Sequence, residues 1–213
     1  MCLTRFYGEY EINLTKQITN FEGEEEIQME KYYNDAIIGN KEMIASFTKK
    51  GELIRLFYPN TDYRQFIDFL HTGVKINDSS MIYMHEDINN VYKQYYTENT
   101  NILNTEIENT YFKLKTIQTD FVCTDKNILV KKYKMKNENN IDLNINFIVH
   151  SGLLTTDNNQ VSGYYKNDSL IQYMHDYSLV ICSDKKVETS QINNNKSNIH
   201  ERNYRRQRLY RYV

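Results

Sequence analysis

Arg55, Tyr58, Asp62, Tyr63 and Arg64 crowd around Pro59, the only proline of this 213-residue chain. Their chemistry is that of sugar recognition. An aromatic ring can stack on the apolar face of a pyranose, while carboxylate and guanidinium groups form directional hydrogen bonds to hydroxyls. A turn at Pro59 is expected to present the five side chains at one end of a domain. In a competing assignment Arg55 and Asp62 brace that turn while Phe57 and Phe66 enter the core. The chain contains no tryptophan, the residue that starch-binding surfaces commonly use as a platform, and this weighs toward the competing assignment.

Other reactive groups are scattered. His85-Glu86-Asp87 has metal-ligating residue types, but adjacent residues of a strand point to opposite faces. At most His85 and Asp87 converge there, too few ligands for a zinc site, so a hydrogen-bonded loop or strand end is expected and no metal is assigned. His71, His150 and His175 are isolated singles that read as structural histidines. Glycoside hydrolysis needs two carboxyl groups, about 6.5–9.5 Å apart in inverting enzymes. Nothing in the sequence pairs Asp87, Glu106, Glu108 or Asp120 in that way. No nucleophile motif or glycine-rich phosphate loop is present. No catalytic residue and no cofactor is therefore assigned.

The elements that would position these groups are strands. Residues 35–58 contain short β-type segments around the polar turn Thr48-Lys49-Lys50-Gly51-Glu52. Period-two alternation is clearest in Ile141-Asp142-Leu143-Asn144-Ile145-Asn146-Phe147, expected as a half-buried antiparallel strand. Similar segments at 110–119, 128–135, 170–175 and 178–183 alternate with polar turn clusters. This spacing predicts an all-β antiparallel sandwich, with helix confined to a turn or two near 63–70.

Composition sets the remaining bounds. With 26 basic and 28 acidic residues the net charge is -2, so no global field draws the chain to nucleic acid or an anionic membrane. Seven glycines and one proline leave many turns to asparagine, which tolerates left-handed backbone and caps its own chain. Cys2, Cys123 and Cys182 form no framework or zinc pattern, which fits a reducing cytoplasm. No signal-peptide or membrane-length apolar run occurs.

Three zones are expected. In residues 1–28, Glu22-Gly23-Glu24-Glu25-Glu26 lies just ahead of Met29, as a translated ribosome-binding sequence would if translation began at Met29. An acidic solvated leader with an edge strand at 6–14 fits equally well. Residues 29–198 form the sandwich. Residues 199–213 form a basic tail with five arginines and no lysine after residue 200. Read one nucleotide later, its codons permit a string resembling a continued sandwich, so a frameshift is expected in preference to an RNA-binding or solubilising tail.

The order and spacing of Ala36-Ile37-Ile38-Gly39-Asn40, Gly51-Glu52-Leu53-Ile54-Arg55-Leu56-Phe57-Tyr58-Pro59, Thr72-Gly73-Val74, His85-Glu86-Asp87, Leu103-Asn104-Thr105-Glu106, Gln118-Thr119-Asp120-Phe121-Val122 and His150-Ser151-Gly152 are informative together. Across about residues 29–186 the chain resembles the amino-terminal β-sandwich of bacterial glucoamylases and trehalase-like enzymes of glycoside hydrolase family 15. That resemblance implies a supersandwich-like domain, incomplete at its carboxyl end, ahead of an (α/α)6 barrel. The barrel would carry the two catalytic glutamates and the α-glucan site, and it does not fit in 213 residues. This polypeptide would then be inactive alone, the family activity being glucan 1,4-α-glucosidase or trehalase-like hydrolysis. A free-standing glycan- or protein-binding sandwich is the alternative. Missing strands would expose apolar surface and unpaired edges, so poor stability without a partner is expected.

Overall fold

The computed structural model describes residues 34–59, 65, 67–153, 162–174 and 177–190, and all regular structure among them is β. The acidic leader, its edge strand at 6–14, the basic tail, His175 and Phe66 lie outside the described residues. Thirteen strands occur among the described residues: β1 (Ala36–Gly39), β2 (Ile44–Phe47), β3 (Leu53–Phe57), β4 (Ile67–Ile76), β5 (Ile82–Tyr83), β6 (Asn90–Tyr96), β7 (Leu103–Asn109), β8 (Leu114–Val122), β9 (Leu129–Asn137), β10 (Ile145–Leu153), β11 (Ser162–Lys166), β12 (Ser169–Met174) and β13 (Tyr177–Cys182). The first sheet has the order β1-β2-β3-β4-β10, with β5 also on β4, the second β6-β7-β8-β9 and the third β11-β12-β13. Every pairing is antiparallel.

The first two sheets face each other. One apolar cluster joins Ile38, Ala45, Phe47 and Leu53 of the first sheet to Leu103 and Val122 of the second. Another joins Val74, Ile76 and Met84 to Ile107 and Leu114. Strand β8 shows the cause, burying every second residue from Leu114 to Val122, as a pleated strand with one covered face must. Phe57 enters the core as the sequence suggested.

Two expected elements differ. Residues 67–70 begin the long strand β4 instead of a helical turn, because Ile67 fills the first core cluster and the strand pairs along its length with β10. The alternation at 141–147 becomes strand only from Ile145. Ile141 is exposed, and Asn144 is held by Asn77, whose backbone N–H donates to the Asn144 carbonyl and whose Oδ1 accepts from the Asn144 N–H. Asparagine does supply turns: Asn77, Asn99 and Asn167 have left-handed φ angles of 50, 57 and 51°. Asn40 Oδ1 accepts from the backbone N–H groups of Glu42 and Met43.

Between the apolar clusters lies a polar seam. Thr105, Thr116, Gln118 and Asp120 occupy inward positions of β7 and β8 and are buried. Lys131 on β9 donates to Asp120 Oδ1 at 2.8 Å and sits 4.8 Å from the centre of the Phe47 ring. Gln118 Nε2 donates to Asp120 Oδ2 and to the Gly51 carbonyl, both at 2.7 Å. Gln94 Nε2 donates to the Thr48 carbonyl at 3.0 Å. The β2–β3 turn is thus drawn between the sheets. Gly51, at φ 80°, is required there: a Cβ would lie 3.1 Å from Thr105 Oγ1 and 3.2 Å from Gln118 Nε2.

Removing one partner of a buried ion pair strands the other charge. Lys131→Met should therefore lower unfolding stability by about 3–5 kcal/mol. Adding Asp120→Asn in the same chain should restore most of it, as read from urea denaturation midpoints. Equal midpoints for Lys131→Met and the parent would show that the pair does not hold the sheets.

Candidate functional site

Of the five sugar-recognition candidates, the structure describes two. Arg55 lies on β3 opposite Ser46. Tyr58 follows the strand, 44 % exposed, before a cis peptide bond to Pro59. Asp62, Tyr63 and Arg64 lie outside the described residues. Three of the acidic residues weighed for catalysis are engaged within the fold. Asp120 is paired in the seam. Asp87 Oδ1 accepts from the Asn89 backbone and side chain, and its Oδ2 from Asn109 Nδ2. Glu106 accepts from the Tyr95 hydroxyl.

A different constellation forms beside β4. Strand β3 pairs with this edge at Leu53↔Leu70, and β5 pairs with it at Gly73↔Tyr83 and Val74↔Ile82. Continuing the first register by one residue puts Glu52 opposite His71. Continuing the second by two puts His85 opposite His71 as well, and the bond from the Met84 N–H to the Thr72 carbonyl keeps that register. Two segments distant in sequence therefore abut at one residue of β4. His71 Nε2 lies 3.1 Å from Glu52 Oε1, and His85 Nε2 lies 3.5 Å from the same oxygen. The three side chains are largely sheltered, with exposures of 11 % for Glu52, 9 % for His85 and 23 % for His71.

Aromatic rings enclose the imidazoles. The His71 ring centre is 4.5 Å from that of His85 and 5.3 Å from those of Phe69 and Tyr83. His150, opposite His71 on β10, has Nδ1 2.9 Å from the Tyr83 hydroxyl oxygen and meets Phe69 edge-on. Gly152 leaves room for Phe69, whose Cε1 would be 2.6 Å from a Cβ there. His71 and His150, read from sequence as isolated singles, thus join His85 in one cluster. The hydrogen-bonded loop expected at 85–87 is present: β5 ends at Tyr83, and Asp87 turns away to Asn89 and Asn109.

Electrostatics follow from placement. A hydrogen bond with His85 holds the Glu86 carboxyl below its ordinary range. Burial, then the Glu86 charge, raises the Tyr83 hydroxyl. Glu52 and His85 line a narrow cleft with Lys50, Met84, Gln118 and Lys131. Beneath it, the Tyr133 hydroxyl of β9 donates to Thr72 Oγ1 at 3.2 Å. Burial pushes Tyr133 well above the usual phenol range, with the Asp120 charge adding to the effect.

Comparison with known proteins gives one distant similarity. An uncharacterized glycosyl hydrolase of Methanocaldococcus jannaschii is 29 % identical over 165 residues, covering 76 % of this chain and 26 % of the relative. The chain thus spans about a quarter of the length of the relative it matches. No family model matches the chain, and no solved structure matches it. Among the described residues no helix is long and apolar enough to cross a membrane.

Because native Tyr133 keeps its proton after the unfolded residue has lost it near pH ~10, stability falls as pH rises past that value. Tyr133→Phe should flatten this alkaline loss by about one proton, measured from denaturation midpoints between about pH 8 and 11. Identical slopes would show that Tyr133 ionises freely in the native state.

Proposed function

We propose that this chain is the non-catalytic amino-terminal β-sandwich of a glucoamylase-like glycoside hydrolase of family 15. The observation that carries the reading is the match to a protein named as a glycosyl hydrolase, which takes in most of this chain but about a quarter of that protein. The two facing antiparallel sheets agree with it.

In this reading an (α/α)6 barrel is the partner and supplies both glutamates. The sandwich supports the barrel and helps to shape the entrance to an α-glucan site, in a cytoplasmic enzyme of carbohydrate metabolism. Tyr58 stands just past the end of β3 and Arg55 within it, and the loop that follows is where a contact to barrel or sugar would form.

A free glycan-binding module is the second reading, favoured by exposed rings on the third sheet. Tyr164 and Tyr173 are 46 % and 41 % exposed, with ring centres 6.1 Å apart.

The purified chain should not hydrolyse maltooligosaccharides or trehalose. Resequencing beyond codon 213 should reveal an open frame for a helical barrel, and the joined product should release glucose from one of these substrates. Hydrolysis by the present chain alone would overturn the proposal. Retardation in an amylopectin gel that is lost in Tyr164→Ala, with no barrel encoded downstream, would establish the second reading in its place.

A further inference from the structure

We infer that Glu52, His71 and His85 form a binding site for a single divalent transition-metal ion of the zinc class. The inference is independent of the glycoside-hydrolase reading, because it rests on three donor atoms brought together by strand register. Those atoms lie within 4.8 Å of one another. A tetrahedral ion with bonds of about 2.0–2.2 Å holds its ligand atoms about 3.3–3.5 Å apart. The two imidazole-to-carboxylate distances are 3.1 and 3.5 Å. A modest inward shift of the two imidazoles completes the geometry around a common centre.

The donor set selects the metal. Two neutral imidazoles with one carboxylate suit zinc, cobalt or nickel, whereas calcium and magnesium require shells of oxygen. Shelter argues in the same direction, since a carboxylate so nearly removed from water needs a compensating charge, and a dication satisfies it while using both ring nitrogens. Phe69 and Tyr83 restrict the imidazole planes, so little ordering remains to be done when the ion arrives. Glu86 Oε1 lies 3.5 Å from His85 Nε2, near enough to turn toward a fourth position, which a water molecule from the cleft fills otherwise.

The ion would join three segments through their side chains: the residue before β3, the middle of β4 and the turn after β5. Its role is structural in the first instance. It clamps two strands that share one edge of β4, and His150 lies beside it as a neighbour held by Tyr83.

The experiment uses the full chain, freed of metal with a chelator and titrated with cobalt(II). The expected result is about one cobalt per chain, with visible ligand-field bands of a four-coordinate nitrogen and oxygen site and no thiolate charge-transfer band from Cys2, Cys123 or Cys182. Zinc should displace the cobalt and raise the melting temperature. Glu52→Gln together with His71→Ala should weaken cobalt binding at least tenfold, while His150→Gln, a neighbour outside the ligand set, should leave it unchanged. If the parent chain shows no ligand-field bands and retains no zinc after dialysis, the inference is wrong. Bands of thiolate ligation, or binding untouched by the double substitution in a protein with a parental circular dichroism spectrum, would equally overturn it.

Discussion

The Asp120 carboxylate lies wholly out of water and is held by Lys131 and Gln118. An unpaired charge at such depth would cost several kcal/mol, so β8 and β9 must stay in register and Gln118 must keep its amide pointed inward. That amide also donates to the Gly51 carbonyl. The geometry of a charged pair in one sheet therefore fixes a turn in the other, and Glu52 is the next residue of that turn. The sheltered cluster beside β4 rests on a hydrogen-bond chain that begins on the opposite side of the sandwich.

The second constraint is the sharing of one strand edge. Strand β4 is ten residues long, long enough to receive β3 on one half and β5 on the other. Where two short strands end against a longer one, the ladder is interrupted and side chains replace backbone bonds. His71 stands at that interruption, and the groups flanking it, Glu52 and His85, are those that a continuous sheet would have kept apart. Irregularity in pairing here produces chemical proximity, as bulges and strand ends often do.

The sandwich was legible because its signal is local. Period-two burial in β8 and the polar turn at 48–52 need no knowledge of distant partners, and asparagine's turn chemistry at Asn77, Asn99 and Asn167 follows from one side chain's geometry. The strand at 67–76 was less visible, since its pairing with β10 joins residues far apart in the chain. The histidine cluster was illegible for the same reason. Its ligand-type residues come from three segments whose meeting depends on two separate registers, and within the segment 85–87 the spacing pointed to Asp87, which is occupied in a loop. The polar seam was masked differently: Thr116, Gln118 and Asp120 occupy inward positions where an apolar residue is the ordinary expectation.

The sheet margins carry a further meaning. Tyr96 reaches from β6 to β1, where its hydroxyl accepts from the Ile37 N–H and donates to the Ile37 carbonyl, occupying backbone groups of the strand that ends the first sheet. At the other end, Gln172 Nε2 donates to the Ser151 carbonyl of β10. Strand β9, which ends the second sheet, carries the exposed Lys132, Lys134 and Lys136, and like charges brought into register would repel. A second copy approaching by strand addition thus meets blocked acceptors on one sheet and a row of ammonium groups on the other. Self-association through these margins is opposed, and crowded or concentrated solutions should favour contacts through loops and faces over growth into extended β ribbons.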